Sequence, residues 1–201
     1  MKKFELTSEF VTFLGKKLFR IKALLSFGDV KEGELGGYVE KEENLSNDGD
    51  AWVYGNAWVS GDAWVYGDAR VSGDAWVSGD AWVSGDAWVS GDARVYGDAR
   101  VSGDAWVYGD ARVSGDAWVS GDARVSGDAD YATVHGFGSE YRTTTFFRTK
   151  AGDIGVRCGC FYGTLEEFRA KVKETHGETK TAKEYLMVAD LMEFRFSKEE
   201  A

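Results

Sequence analysis

Histidine and cysteine, two of each, are the scarce reactive residues of this 201-residue chain. His135, in Thr133-Val134-His135-Gly136, is the one candidate for a general base, and no local motif supplies a partner to orient it. His176 sits where a helix should end, and there an imidazolium complements the helix dipole. Cys158-Gly159-Cys160 reads as part of a strand, which would put both sulfurs on one face. Two thiols fall short of the four ligands of a structural zinc site, so a pair of free thiols is expected and no metal. No phosphate-binding glycine loop, nucleophile elbow or metalloprotease motif occurs, and no cofactor is implied.

The residues best suited to binding recur at a fixed interval instead. Ala-(Trp/Arg)-Val-(Ser/Tyr)-Gly-Asp repeats from Ala51, with Val at every sixth position from Val53 to Val125. Positions eighteen apart form three outward columns. The first holds Trp52, Arg70, Trp88, Trp106 and Arg124. The second holds Trp58, Trp76, Arg94, Arg112 and Asp130. The third holds Trp64, Trp82, Arg100 and Trp118. All eight tryptophans lie in these columns, and with Val and Ala inside, every one of them is expected outside. An Arg over a Trp ring is worth about 0.5–1 kcal/mol when exposed. The columns read in two ways: as ladders that tie coil to coil, or as a binding surface. The surface could be a subunit interface, a dock for the chain's own helices, or a stacking platform for a sugar or nucleotide. The Asp row reads as turn chemistry; calcium binding and mimicry of a nucleic acid are the alternatives.

A strict period of six fits a short strand plus a turn and does not fit a helical stripe. In Trp-Val-Ser the central Val faces away from its neighbours and points inward. Gly and Asp supply the turn, and Ala fits inside the corner. Three hexads close a triangular coil of eighteen residues, and thirteen hexads give a little over four coils. Val39 and Leu45 are also six apart, so the solenoid is expected to begin at Val39, with a two-residue insertion at Asn47-Asp48.

The flanks differ in composition. Of the net charge of −10, residues 50–130 carry −9, from 14 Asp and 5 Arg. So acidic a repeat argues against binding nucleic acid backbones and fits a solvated repeat, a basic protein partner or mimicry of a nucleic acid. Residues 1–38 read as a small β cap, with strands over 10–14 and 18–23 around Gly15-Lys16-Lys17. Residues 39–135 form the solenoid. Residues 136–201 read as a β-hairpin (142–149 and 154–160) followed by two helices, opened by capping boxes at Thr164–Glu167 and Thr181–Glu184. Leu165, Phe168 and Val172 share one stripe, as do Tyr185, Ala189 and Met192. Charged residues interrupt every apolar run of the first twenty, so no leader or membrane span is expected there, and the cytoplasm is the expected location.

The hexads from Val53 to Ala129 resemble the repeat of left-handed β-helix proteins. That resemblance implies a mainly β fold, a single-stranded left-handed parallel β-helix between an N-terminal β cap and a C-terminal ββαα module. Many members of that superfamily are trimeric acyltransferases with a histidine base, for which His135 would be the counterpart. The segments 27–31, 35–39 and 44–46 resemble the lead-in of uncharacterised hexapeptide-repeat proteins of bacteria and their phages. Residues 144–149 and 154–161 resemble a tail of phage and prophage proteins. The expected function is a non-enzymatic scaffold, phage-linked, that engages a protein partner or sequesters a small ligand. The alternatives are a trimeric acyltransferase-like enzyme and an acidic mimic or self-assembling element. A homodimer or homotrimer is compatible with each.

Overall fold

The protein is described by a computed structural model over residues 1–197; residues 198–201, the last of the C-terminal module, lie outside the described residues. It opens with strands β1 (Phe4–Phe13), β2 (Lys16–Ala23) and β3 (Leu35–Val39). Thirteen two-residue strands follow, β4 to β16, one per hexad from Trp52–Val53 to Arg124–Val125. The chain closes with β17 (Tyr131–Val134), β18 (Thr144–Arg148), β19 (Ile154–Cys158), β20 (Phe161–Thr164), α1 (Leu165–His176) and α2 (Lys180–Phe196). The hexads build a parallel β-solenoid of about five turns. Its rungs pair eighteen residues apart, as in Arg70↔Trp88 and Trp88↔Trp106. Each hexad buries its Val and Ala, and together these form one continuous core. The corners turn on glycine. Gly85 has φ +67°, and a Cβ there would come within 3.0 Å of the Gly103 nitrogen one coil on. Left-handed φ costs a residue with a Cβ roughly 1–2 kcal/mol. Gly85→Ala should therefore lower unfolding stability by at least about 1 kcal/mol in denaturant titration, whereas Ser84→Ala, one residue earlier, should be close to neutral.

Backbone bonding between coils has a direction that the ends must resolve. N–H groups at the Trp/Arg and Ser/Tyr positions donate forward, as from Trp88 to the Ala105 carbonyl and from Ser90 to that of Val107. The Ala and Val carbonyls of the first full coil therefore need donors from outside the repeat. Tyr38, Glu40 and Ser46 supply backbone N–H groups to Ala57, Val59 and Val65. Two side chains serve the Ala51 and Ala63 carbonyls, with a glycine carbonyl beside each. Asn44, fully buried, donates to the Gly61 (3.0 Å) and Ala63 (2.8 Å) carbonyls. The buried Lys3 ammonium donates to those of Gly49 (3.0 Å) and Ala51 (2.9 Å). The first turn also contains the insertion: Val39↔Val59 and Leu45↔Val65 are twenty apart, whereas Val53↔Val71 is eighteen. The two extra residues fall at Asn47-Asp48, and the Asn47 side chain accepts the Lys3 N–H at 2.9 Å.

The N-terminal hairpin turns at Leu14 (φ 47°) and Gly15 (φ 79°), both left-handed, as a tight two-residue hairpin requires. β3 lies antiparallel to β2 and parallel to the rung at Trp58, so the hairpin extends the second face into a seven-stranded sheet. Burial pushes the Lys3 ammonium down from its ordinary value to about 8, against the pull of Asp50, Asp48 and Asp68. The unfolded chain then holds that proton more tightly than the folded one. Stability should rise with pH from about 8 towards the unfolded value near 10.5, by at most about 1.4 kcal/mol per unit from this group. Denaturant midpoints measured between about pH 7.5 and 9.5 should show the rise in the parent protein and a flatter profile in Lys3→Met.

The C-terminal module contains more sheet than the sequence suggests. The expected hairpin is the centre of a four-stranded antiparallel sheet in the order β17-β18-β19-β20. Tyr131–Val134 leaves the hexad path to pair with β18, and Phe161–Thr164 returns along β19. Cys158 and Cys160 consequently do not share a strand. Gly159 (φ 57°) and Cys160 form the turn between β19 and β20, leaving Cys158 half-buried and Cys160 exposed. α1 opens with the expected capping box, Thr164 and Glu167 bonding reciprocally. α2 begins earlier than expected. Its N-cap is Thr179, whose hydroxyl accepts from the Ala182 N–H, because Gly177 ends α1 and leaves only Glu178 between them. The predicted apolar stripes of both helices are buried against Phe146 and Val156. Three of the forward N–H groups of the last coil find side-chain acceptors here: Arg112 on Asp128 (3.0 Å), Trp118 on the Thr145 hydroxyl (2.9 Å) and Ser126 on Asp130 (2.9 Å).

Candidate functional site: the tryptophan–arginine columns

The three columns form in the register expected with one correction: Asp130 adds no rung to the second, which ends at Arg112, because residues 128–130 turn in a short 3-10 helix that leads into β17. The caps reach over the columns unequally. In the first column Trp52 is buried, which corrects the expectation that every tryptophan is outside. Phe4 and Phe27 of the cap meet its ring edge-on at 6.3 and 5.4 Å. Asp29 clamps the same corner, accepting from the Tyr54 hydroxyl (2.8 Å) and from Arg70 (3.1 Å). The Tyr54 hydrogen bond, with help from Arg70, holds the Asp29 carboxyl below its ordinary range. Further along, the Trp88 indole donates to Ser72 (3.0 Å) and meets Trp106 edge-on at 5.3 Å. Arg124 sits over Trp106 at 4.4 Å, its guanidinium also donating to the Asp104, Asp122 and Ala123 carbonyls.

The second column starts beneath the N-terminal hairpin. Phe13, next to the hairpin turn, packs on Trp58 at 5.0 Å and on Trp76 at 4.9 Å, leaving both half-buried. Below them Arg94 and Arg112 are exposed on neighbouring rungs. The third column alternates rings and cations. Trp64 stacks on Tyr66 (4.2 Å) and meets Trp82 edge-on. Arg100 lies between Trp82 (5.0 Å) and Trp118 (5.5 Å). Arg157, from β19, closes the column at 3.6 Å from the Trp118 ring. Four rings stay about 40% exposed: Trp64, Trp82, Trp88 and Trp106. They stand in two columns on different faces, each bordered by exposed Asp corners.

Tyr66, Phe13 and Arg157 complete these columns and were not among the sequence candidates. Tyr66 was discoverable, since a residue two positions after Trp64 shares its side of the strand. Phe13 and Arg157 arrive from separate elements and carry no periodic signal. His135 stands exposed beside the third column. Its Nδ1 lies 3.1 Å from the Thr143 hydroxyl, which is 3.5 Å from Asp116. These residues border a cleft of about 400 Å³ with Tyr141, Arg142 and Arg157. His176 ends α1 and stacks on Tyr185 at 5.7 Å, away from the columns.

A chain of stacked coils, with a Val/Ala interior and outward rings and cations, is a β-solenoid repeat protein. A family model, the YdcK beta solenoid repeat, matches residues 51–67, 63–79, 93–109 and 105–121. Each match spans close to one coil, and all four lie within the hexad run. No curated protein matches the chain.

Because Arg157 is the last rung of the third column, it should fasten the C-terminal module to the solenoid. Arg157→Ala should raise amide exchange in β18 and β19 selectively and increase acrylamide quenching of Trp118, read in a variant whose other exposed tryptophans are replaced by Phe. The coils from Trp52 to Val89 should keep parent exchange rates.

Proposed function

We propose that the chain is a non-enzymatic interaction scaffold that engages a basic protein partner through the tryptophan faces of the first and third columns. The observation that supports this most is the unequal covering of the columns: the caps bury or half-bury Trp52, Trp58, Trp76 and Trp118 and leave Trp64, Trp82, Trp88 and Trp106 open. Rigid aromatic side chains held at fixed spacing lose little entropy on binding and are enriched at interface centres. The chemistry of the partner follows from the setting. Exposed Asp rows flank the open rings, and the repeat has a net charge of −9. The columns already seat guanidinium groups on indole, as Arg124 does on Trp106. A partner surface rich in arginine would find the same seat, with carboxylates on either side to pair its charge.

Fluorescence titration with an oligo-arginine peptide, beside an oligo-lysine peptide of equal length, tests the reading. Arginine should saturate at several-fold lower concentration than lysine and shield the tryptophans from acrylamide. Trp88→Leu with Trp106→Leu, or Trp64→Leu with Trp82→Leu, should weaken binding about tenfold or more. Equal affinity for the two peptides, unchanged by these substitutions, would show that only the acidic rows attract cations and would end the proposal.

A further inference from the structure

The repeat departs from its own rule at one corner. From Asp50 to Asp128 every Gly is followed by Asp except at Gly55-Asn56. Like charges aligned on adjacent coils repel, and an amide at Asn56 removes that repulsion against Asp74, eighteen residues on. The same relief would serve every other corner of the three Asp rows, and it is used at none of them. Asp50 and Asp62 open their own rows of the regular hexads as Asn56 opens this one, so standing first in a row does not call for an amide. What sets Asn56 apart is the cleft that it faces.

That cleft, of about 520 Å³, lies between the N-terminal hairpin and the second face. Its size is that of a small-molecule site. Phe13, Trp58 and Trp76 line it with aromatic surface, and Asn56, Asp74 and Arg94 supply its polar groups. The rings are fixed before any ligand arrives. Phe13 lies 5.0 Å from Trp58 and edge-on to Trp76 at 4.9 Å, and the Trp76 indole donates to the Ser60 hydroxyl at 3.2 Å. All three rings are only half-buried. The polar groups differ in kind: Asp74 only accepts, Arg94 only donates, and the Asn56 amide does both. Asp74 and Arg94 are exposed, and neither has an ion pair among the described residues. Their charges cancel within the cleft, and an Asp at position 56 would have left it negative. An aromatic face is electron-rich and receives C–H groups polarised by neighbouring oxygens. A pyranose ring presents such a C–H face, and hydroxyls around its edge that both donate and accept. Arg94 opposes a quaternary ammonium or other cation in the same place, and Asp74 with Asp92, the next corner of the row, opposes a phosphate.

We infer that the cleft beside the N-terminal hairpin binds a neutral mono- or disaccharide, a pyranose C–H face on Trp58 and Trp76 and its hydroxyls on Asn56, Asp74 and Arg94. The site is separate from the open tryptophan faces of the first and third columns and does not depend on what they bind. Saturation-transfer NMR on the full chain tests it, with the methyl glycosides of glucose, galactose, mannose and N-acetylglucosamine, and with maltose, cellobiose and lactose, as probes. At least one of these should saturate in the millimolar range or below, with transfer strongest to the C–H protons of one ring face. Trp58→Leu and Arg94→Ala should each weaken binding of that probe about tenfold. Arg112→Ala, on the next rung and outside the cleft, should leave it within about twofold. Asn56→Asp separates the site from the scaffold: it restores the corner used throughout the repeat, so it should leave the melting temperature unchanged and weaken binding about fivefold or more. No transfer to any probe at tens of millimolar, equal weakening by Arg112→Ala, unchanged binding in Asn56→Asp, or tighter binding of tetramethylammonium or adenosine than of every sugar would overturn the assignment.

Discussion

Each coil passes its forward N–H groups to carbonyls of the coil after it, and a stack built this way cannot simply stop. A buried backbone group without a partner costs on the order of 1–3 kcal/mol. At the first coil the unmet groups are carbonyls, and the chain answers with donors: a lysine, an asparagine and the backbone of β3. At the last coil they are N–H groups, and the answer is oxygen, from Asp128, Asp130 and Thr145. The two flanks differ in architecture because the two ends differ in chemistry. This also explains why a lysine is kept in a place that depresses its pKa. An ammonium carries three donors on a long stem and reaches two carbonyls at once, which no apolar side chain could satisfy.

Within the stack, the inside and the outside answer different demands. The interior needs only shape, and Val with Ala meets it in every hexad. The exterior must hold six-residue rungs together while carrying corner carboxylates at the coil spacing. Aligned like charges repel, and the solenoid accepts that in three rows because Gly-Asp forms the turn. The outward columns offset part of it by alternating rings with guanidinium groups, as in Trp82–Arg100–Trp118–Arg157. Indole N–H groups are also tied to serines of the preceding coil, as Trp76 is to Ser60 and Trp118 to Ser102. The column residues thus contribute to stability as cross-coil pairs even where their outer edges are free to bind.

The repeat was legible to the residue. A period of six with Val inside placed every rung, and the interval between Leu45 and Val53 placed the insertion that changes the offset from twenty to eighteen. What could not be read were contacts between elements of different period. Trp52 obeys the same local pattern as Trp88, yet it is buried because Phe4 and Phe27 come from outside the repeat. Cys158 and Cys160 looked like strand neighbours because nothing local marks Gly159 as a turn until β20 pairs back on β19. The start of α2 was misplaced by two residues because Thr179 and Thr181 are both plausible caps, and the choice falls to where Gly177 releases the chain. The step from Arg94 to Arg112 is visible in the columns, but that neither has an ion pair among the described residues depends on the positions of every nearby acid.

The caps decide which parts of a uniform repeat can act. A solenoid of identical hexads would present three equivalent faces. Here the hairpin folds Phe13 down the second face, the loop at Phe27–Val30 closes the top of the first, and β19 reaches the bottom of the third. Distinct surfaces are left: open rings on two faces and, on the remaining one, Arg94 and Arg112, which have no ion pair among the described residues. None of these arises from a departure in the fold of the rungs, which keep their register throughout. They arise from substitutions of Arg for Trp at single outward positions and from where the flanks happen to lie across them. A repeat of this kind can therefore change what it binds by exchanging outward residues one rung at a time, because the Val/Ala core and the glycine corners that hold the coil are untouched by the exchange.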